Sequence, residues 1–173
     1  MSGDAVRLDV DAATNVPRGT AGPVGVAITN LLSTGDYTFQ QIIAAQELRD
    51  IPVGSLIDHL WFRNASGSSA LPASDSSSPD FEVEVSTAAR RPASASTTFA
   101  DNIGADNTSV RSGALSVTTG EMAAAPTTGT APFTWQIPFS TPYSYRSGSL
   151  LGVFRNTGFE IGRASCRERV SSP

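Results

Sequence analysis

Four short polar side chains surround Gly104 in the run STTFADNIGADNTSVRSGAL, residues 96–115. They are Asp101, Asn102, Asp106 and Asn107. Calcium takes about six to eight oxygen ligands, which carboxylates and amides supply, although the spacing here does not fit an EF-hand loop. The other interpretation is that these side chains hydrogen-bond their own backbone in turns, as Asp and Asn commonly do. The sequence therefore predicts either a calcium site or a set of turns in this run.

Acidic residues and the single histidine are the other groups that could do chemistry. Asp80, Glu82 and Glu84 would lie on one face of a strand, about 7 Å apart, and glycosidases use carboxylate pairs at separations of that order. Catalytic pairs usually come from different strands, however, and such alternation is typical of any half-exposed strand. His59 follows Asp58, and neighbouring strand residues point to opposite faces, so we expect no base and orienting acid from this pair. We therefore expect a protein that is not an enzyme.

Aromatic side chains offer a third kind of site. Exposed rings on a β-sandwich stack on sugars, because a sugar ring presents a flat apolar area with a polar rim. Trp61, Tyr143 and Tyr145 are the candidates for such glycan contacts. Trp135 alternates with Phe133 and is expected in the core instead.

Alternation of apolar and polar residues predicts the elements that carry these groups. Strands are expected at 6–10, 55–63, 80–87, 133–139 and 150–154, with short pieces around Val110 and 115–117 and a further strand or ordered loop at 24–32. Residues 37–50 read as a strand that passes into a short helical turn before Pro52. The Ser-rich residues 64–79 and residues 118–130 read as loops, because they have too little apolar area to order themselves.

Seven or eight short strands with turn signals between them predict an all-β fold, an antiparallel, jelly-roll-like β-sandwich with one or two short helical turns. A single domain is expected over residues 1–159. In the strand at 55–63, Leu56, Leu60 and Phe62 are expected on one face and Ile57 and Trp61 on the other. The expected core consists of Phe81, Val83, Val85, Leu115, Phe133, Trp135, Ile137, Leu151 and Val153.

Composition excludes several functions. The chain has 173 residues and a formal net charge of −4, which argues against nucleic acid, because phosphate binding needs clustered cations. It has no apolar run of about 18 residues that would span a membrane. Residues 1–20 lack the basic start and apolar core of a signal peptide.

Several stretches together resemble a group of secreted bacterial proteins that often end in a Pro-Glu-Pro sorting signal, the PEP-CTERM type. The resemblance runs from about Tyr37 to Asn156 through Phe39-Gln40-Gln41, residues 51–57, 133–145 and SLLGVFRN, and it is sharpest at 97–115. It implies an extracellular or cell-surface location and carries no known activity. We accordingly expect a structural or adhesive protein, with extracellular polysaccharide as a possible partner. A carbohydrate-binding module is the alternative, and a hydrolase ranks behind both.

The end of the chain differs from the rest. Residues 161–173 contain IGRASCRERV, which resembles a translated sequencing adapter, and so residues 160–173 are expected to be an artefactual or disordered tail. The preceding strand has apolar residues on both faces, Leu151 and Val153 against Leu150 and Phe154, which predicts a strand with a neighbour on each side. From this pattern we expect the source gene to continue with another strand and a sorting signal, and to begin further upstream with a signal peptide.

Overall fold

The computed structural model describes residues 5–9, 31–32, 34–64, 67–128 and 131–161. Within these residues no helix reaches seven residues, and the all-β prediction is confirmed. The strands are Ala5–Asp9 (β1), Tyr37–Ile43 (β2), Leu56–Phe62 (β3), Ser76–Ser78 (β4), Glu82–Thr87 (β5), Thr108–Arg111 (β6), Leu115–Val117 (β7), Trp135–Ser144 (β8), Leu150–Asn156 (β9) and Glu160–Ile161 (β10). Short 3-10 turns occupy Ala45–Glu47, Pro92–Ser94 and Phe99–Asn102, one more than expected. The proposed element at 24–32 lies almost wholly outside the described residues.

The strands form three sheets around one hydrophobic core. The four-stranded sheet has the order β2-β9-β5-β6, and two three-stranded sheets have the orders β1-β3-β8 and β10-β4-β7. All pairs are antiparallel except β1 with β3. The expected core residues are buried with one exception, Phe133. Phe133 precedes β8 and is only half-buried, with the Arg63 guanidinium 4.6 Å from its ring centroid.

The predicted faces of β3 are wrong, because a bulge interrupts the pairing of β3 with β8. Ile57 pairs with Tyr143 but His59 pairs with Pro138, so four residues of β8 lie opposite Asp58 alone. Because a bulge interrupts the alternation of side chains, Ile57 is fully buried before it and Phe62 is fully buried after it. The bulge also brings the side chains of Asp58 and His59 into contact, which strict alternation had excluded.

Strand β9 has buried side chains on both of its faces. Phe154 faces the core, where its ring lies 5.7 Å from that of Phe39, whereas Leu151 and Val153 point to the outer face and are also buried. The prediction that β9 has a neighbour on each side is confirmed, because β2 and β5 flank it. Both neighbours come from the described chain, so the pattern of β9 does not by itself require a further strand.

The Ser-rich segment at 64–79 is more ordered than predicted. It contains β4, in which Ser76 and Ser78 are buried, and the Ser78 hydroxyl donates to the Asn156 side-chain oxygen. Small hydroxyl side chains can be buried when each finds a partner, which a count of apolar residues does not detect. Glu160 and Ile161, of which Glu160 and the residues after it were expected to form a tail, pair with β4 as β10. Residues 162–173 lie outside the described residues.

Candidate functional site

The β5–β6 loop, residues 88–107, contains all four residues that were candidates for calcium binding. It leaves the end of β5 through a bridge between Ala88 and Ile103. Gly104 lies so close to this strand that a Cβ atom on it would be 1.9 Å from the Thr87 carbonyl oxygen. Only glycine allows the loop to approach at this point.

Asn102 is the centre of the loop and is 3% exposed. Its Oδ1 accepts a hydrogen bond from the Ser96 amide at 2.8 Å, and its Nδ2 donates to the Ser96 carbonyl at 2.9 Å and to Gln40 Oε1 at 3.0 Å. The Gln40 amide in turn donates to the Phe99 carbonyl at 3.1 Å. Asn102 therefore holds the loop in one conformation and attaches it to β2.

Asp106 fastens the other end of the loop. Its carboxylate accepts hydrogen bonds from the Thr87 amide, the Thr87 hydroxyl and the Tyr143 hydroxyl, each at 2.8 Å, and Arg146 lies 3.7 Å away. Burial acts to raise the pKa of Asp106, but the hydrogen bonds from Tyr143 and Thr87 outweigh it and leave this pKa below its usual value. Burial raises the pKa of Tyr143 to about 12.

The two loop carboxylates therefore do not share a site. Asp101 accepts a hydrogen bond from the Ser96 hydroxyl at 2.9 Å and lies 3.9 Å from Arg90. Asp106 instead accepts hydrogen bonds from Thr87 and Tyr143. Asn107 is exposed. In the described part of the chain, no three His, Asp or Glu side chains converge as metal ligands. The hydrogen bonds within the loop match the turn interpretation for Asn102, while the Asp106 carboxylate also binds Thr87 of β5 and Tyr143 of β8.

The tyrosines proposed for glycan stacking face the wrong way. Tyr143, near the end of β8, and Tyr145, just beyond it, both point inward and are 3% and 5% exposed. The Tyr145 hydroxyl donates to the Gly148 carbonyl at 2.9 Å. Trp61 lies in the β1-β3-β8 sheet and is half-buried, with its ring roughly perpendicular to that of His59 and the two ring centroids 5.7 Å apart. Neither tyrosine therefore offers a ring face to a sugar, and Trp61 stands apart from both.

The outer face of the four-stranded sheet is divided between the loop and a groove. Gln40 and Ser86 flank Val153 and Leu151 on this face, and both bond to the loop, Ser86 through the Gly104 amide at 3.2 Å. The loop thus covers the apolar part of the face. Beyond it lies a groove of about 500 Å³, which we call the polar groove. Its lining consists of Asp36, Tyr37, Thr38, Asp80, Glu82, Arg155, Asn156 and Thr157.

Phe99 borders this face and was not singled out from the sequence. It is 43% exposed, although the loop around it is fastened by Asn102. Its backbone carbonyl accepts a hydrogen bond from the Gln40 side chain. Gln40 is two residues from Thr38, a residue of the groove, so that the two lie about 7 Å apart along β2. An aromatic residue inside the most distinctive run of the sequence was the available signal. The loop that carries this exposed aromatic residue is thus attached to β2, the strand that contributes Thr38 to the polar groove.

The carboxylates that suggested hydrolysis form part of the same face. Arg155 lies 2.9 Å from Glu84 and 3.9 Å from Glu82, and Asp80 accepts a hydrogen bond from the Thr157 hydroxyl. Each of these three carboxylates is therefore paired with a neighbouring side chain.

Comparisons of the chain with models of protein families, with curated proteins and with solved structures find no match.

Proposed function

We propose that this protein is a non-enzymatic binding module with an adhesive role at the cell surface or outside the cell, and that its binding face is the outer face of the four-stranded sheet. The observation that carries the proposal is the exposed Phe99 ring on a loop that Asn102 and Gln40 hold against the sheet. Long loops in compact domains are usually functional, and a ring held in place beforehand loses little entropy on binding.

The polar groove supports the same proposal. Two of its lining residues, Thr38 and Arg155, lie on the same outer face as Gln40, which bonds to the loop that carries Phe99. The acidic side chains of the face are paired with Arg155 or Thr157, an arrangement suited to binding rather than to proton transfer. The location rests on the resemblance to secreted proteins. Within the described residues, no helix is long and apolar enough to cross a bilayer.

Retention of protein-coated beads tests the proposed function. Beads carrying the protein are washed over separate surfaces of bacterial extracellular polysaccharide, peptidoglycan and plain glass. We expect retention above that of albumin-coated beads on the polysaccharide, and a clear loss with Phe99→Ala. Val53→Ala is the matched control, because Val53 is 71% exposed but lies in the β2–β3 turn. Equal retention of albumin beads and protein beads on every surface would contradict an adhesive role.

A further inference from the structure

Two triplets of the form Asn-x-Ser occur in the sequence, Asn64-Ala65-Ser66 and Asn107-Thr108-Ser109. A triplet of this form, with any residue except proline in the middle, is the acceptor for an N-linked glycan in proteins that leave the cytoplasm. In a Ser-rich chain such a triplet also arises by chance, so the pattern alone does not identify a site. The structural surroundings of the two asparagines distinguish between them.

Asn64 has no room for a glycan in the folded protein. It is 5% exposed. Its Nδ2 donates hydrogen bonds to three backbone carbonyls, those of Ser69, Met122 and Ala123, at 3.0, 3.1 and 2.8 Å. A glycan would replace one hydrogen of this nitrogen, remove donors from these carbonyls and place a bulky hydrated group in a packed interior. Glycosylation of Asn64 is therefore incompatible with this fold.

Asn107 is the opposite case. It is exposed, and it is the last residue of the β5–β6 loop. Its backbone amide donates to the Gly104 carbonyl at 3.3 Å, so the main chain itself supports the turn. Its side chain forms no hydrogen bond with the described part of the chain. Because Ala105 and Ser109 are exposed as well, a large group on Asn107 would extend into solvent without displacing a packed side chain.

The hydroxyl residue of the second triplet is accessible too. Ser109 lies in β6 and is exposed, whereas Thr108 is half-buried and its hydroxyl donates to the Asp106 carbonyl at 3.0 Å. Exposure thus alternates along the triplet, as expected for an extended chain. The two groups that define the triplet, the Asn107 amide and the Ser109 hydroxyl, therefore both face solvent.

We propose that Asn107 is an acceptor site for an N-linked glycan and that Asn64 is not. In the transfer, the Asn107 Nδ2 forms a bond to the anomeric carbon of a lipid-linked oligosaccharide. The bond from that carbon to the pyrophosphate oxygen breaks, the lipid pyrophosphate leaves with the electron pair, and one amide proton passes to a base of the oligosaccharyltransferase. The inference does not rest on the proposed binding face. It shares with the proposed function only a location outside the cytoplasm.

Expression of the full chain behind a cleavable secretion signal, in a host whose secretory pathway contains an oligosaccharyltransferase, tests the site. The protein is digested with peptide-N-glycosidase in heavy-oxygen water, which converts each glycosylated asparagine to a labelled aspartate, and is mapped by mass spectrometry. We expect the label at Asn107 and not at Asn64 in the secreted protein. Ser109→Ala should abolish it. Ser66→Ala is the matched control, because it removes the hydroxyl of the other triplet, and it should leave the label at Asn107.

Secreted and retained chains are both mapped, so that the glycan on Asn107 is measured whether or not the chain is exported. The transferase acts before folding, and chains that it modifies at Asn64 should be found only in the retained fraction. Absence of the label from Asn107 in both fractions of wild type and of Ser66→Ala would overturn the proposal. A secreted chain labelled at Asn64, with the melting temperature of the unmodified protein, would contradict the distinction between the two sites.

Discussion

Asn102 donates a hydrogen bond to Gln40 at 3.0 Å across 62 positions of the chain, and this contact attaches the β5–β6 loop to the outer face of the four-stranded sheet. Gln40 returns a hydrogen bond to the Phe99 carbonyl. The two side-chain amides therefore contribute directly to the position of the loop relative to the sheet.

We predict that Asn102→Ala lowers the free energy of unfolding by about 2–4 kcal/mol, because it leaves the Ser96 amide and the Gln40 side chain without their partner. Urea denaturation measures the change. Asn107→Ala is the matched control, since Asn107 is exposed and its loss should cost no more than about 0.5 kcal/mol. Similar losses for the two variants would show that the loop is not held by Asn102.

We also predict that calcium at millimolar concentration leaves the melting temperature unchanged. Asp101 and Asp106 point to different partners, Ser96 and Thr87, and a ligand raises the melting temperature only if it binds the native state. Differential scanning calorimetry with calcium and then with chelator measures this. A rise that chelator reverses and Asp106→Ala abolishes would restore the calcium interpretation.

The stabilising effect of Asp106 should depend on pH. Its pKa is lowered in the folded state, so its contribution is fully present above the unfolded value of about 3.9 and is lost as the pH falls through the folded value. Wild type should therefore exceed Asp106→Asn in stability at pH 7, and the difference should shrink towards pH 2.5. Urea denaturation at both pH values measures it. A difference that grows on acidification would reverse the sign of our argument.

Phe133 and Trp135 should differ in their contributions to stability. Trp135 is 1% exposed and packs 4.9 Å from Phe62, so Trp135→Ala should cost about 3–5 kcal/mol. Phe133 was also expected in the core, but it is half-buried outside the strand, and we expect Phe133→Ala to cost less than about 2 kcal/mol. Chemical denaturation of the two variants compares them, and equal costs would place Phe133 in the core after all.

Strand patterns were predictable wherever side chains alternate without interruption. Val83 and Val85 were placed on the buried face correctly, and so was Trp135. The prediction failed at Asp58, because a bulge is determined by the partner strand and is not visible in β3 alone. It failed again at β4, where burial depends on hydrogen bonds between small polar residues rather than on apolar area.

The candidate site was predictable only in part. The run at 96–115 was singled out, but its polar residues were considered as calcium ligands or as turn residues, and not as the groups that position Phe99. The polar groove could not be predicted, because it joins Asp36, Asp80 and Thr157 from three separate segments. Such a site depends on the order of the strands, and local patterns do not reveal that order.

Mapping of NMR shift changes on the surface tests the central claim most directly. The ¹⁵N-labelled chain is titrated with soluble fragments of the polysaccharide that retains the beads, and the backbone amides that shift are assigned. We predict that they cluster at Thr38, Phe99, Arg155 and Thr157, on the outer face of the four-stranded sheet. Shifts confined to the β1-β3-β8 sheet, around His59 and Trp61, would contradict our assignment of the binding face.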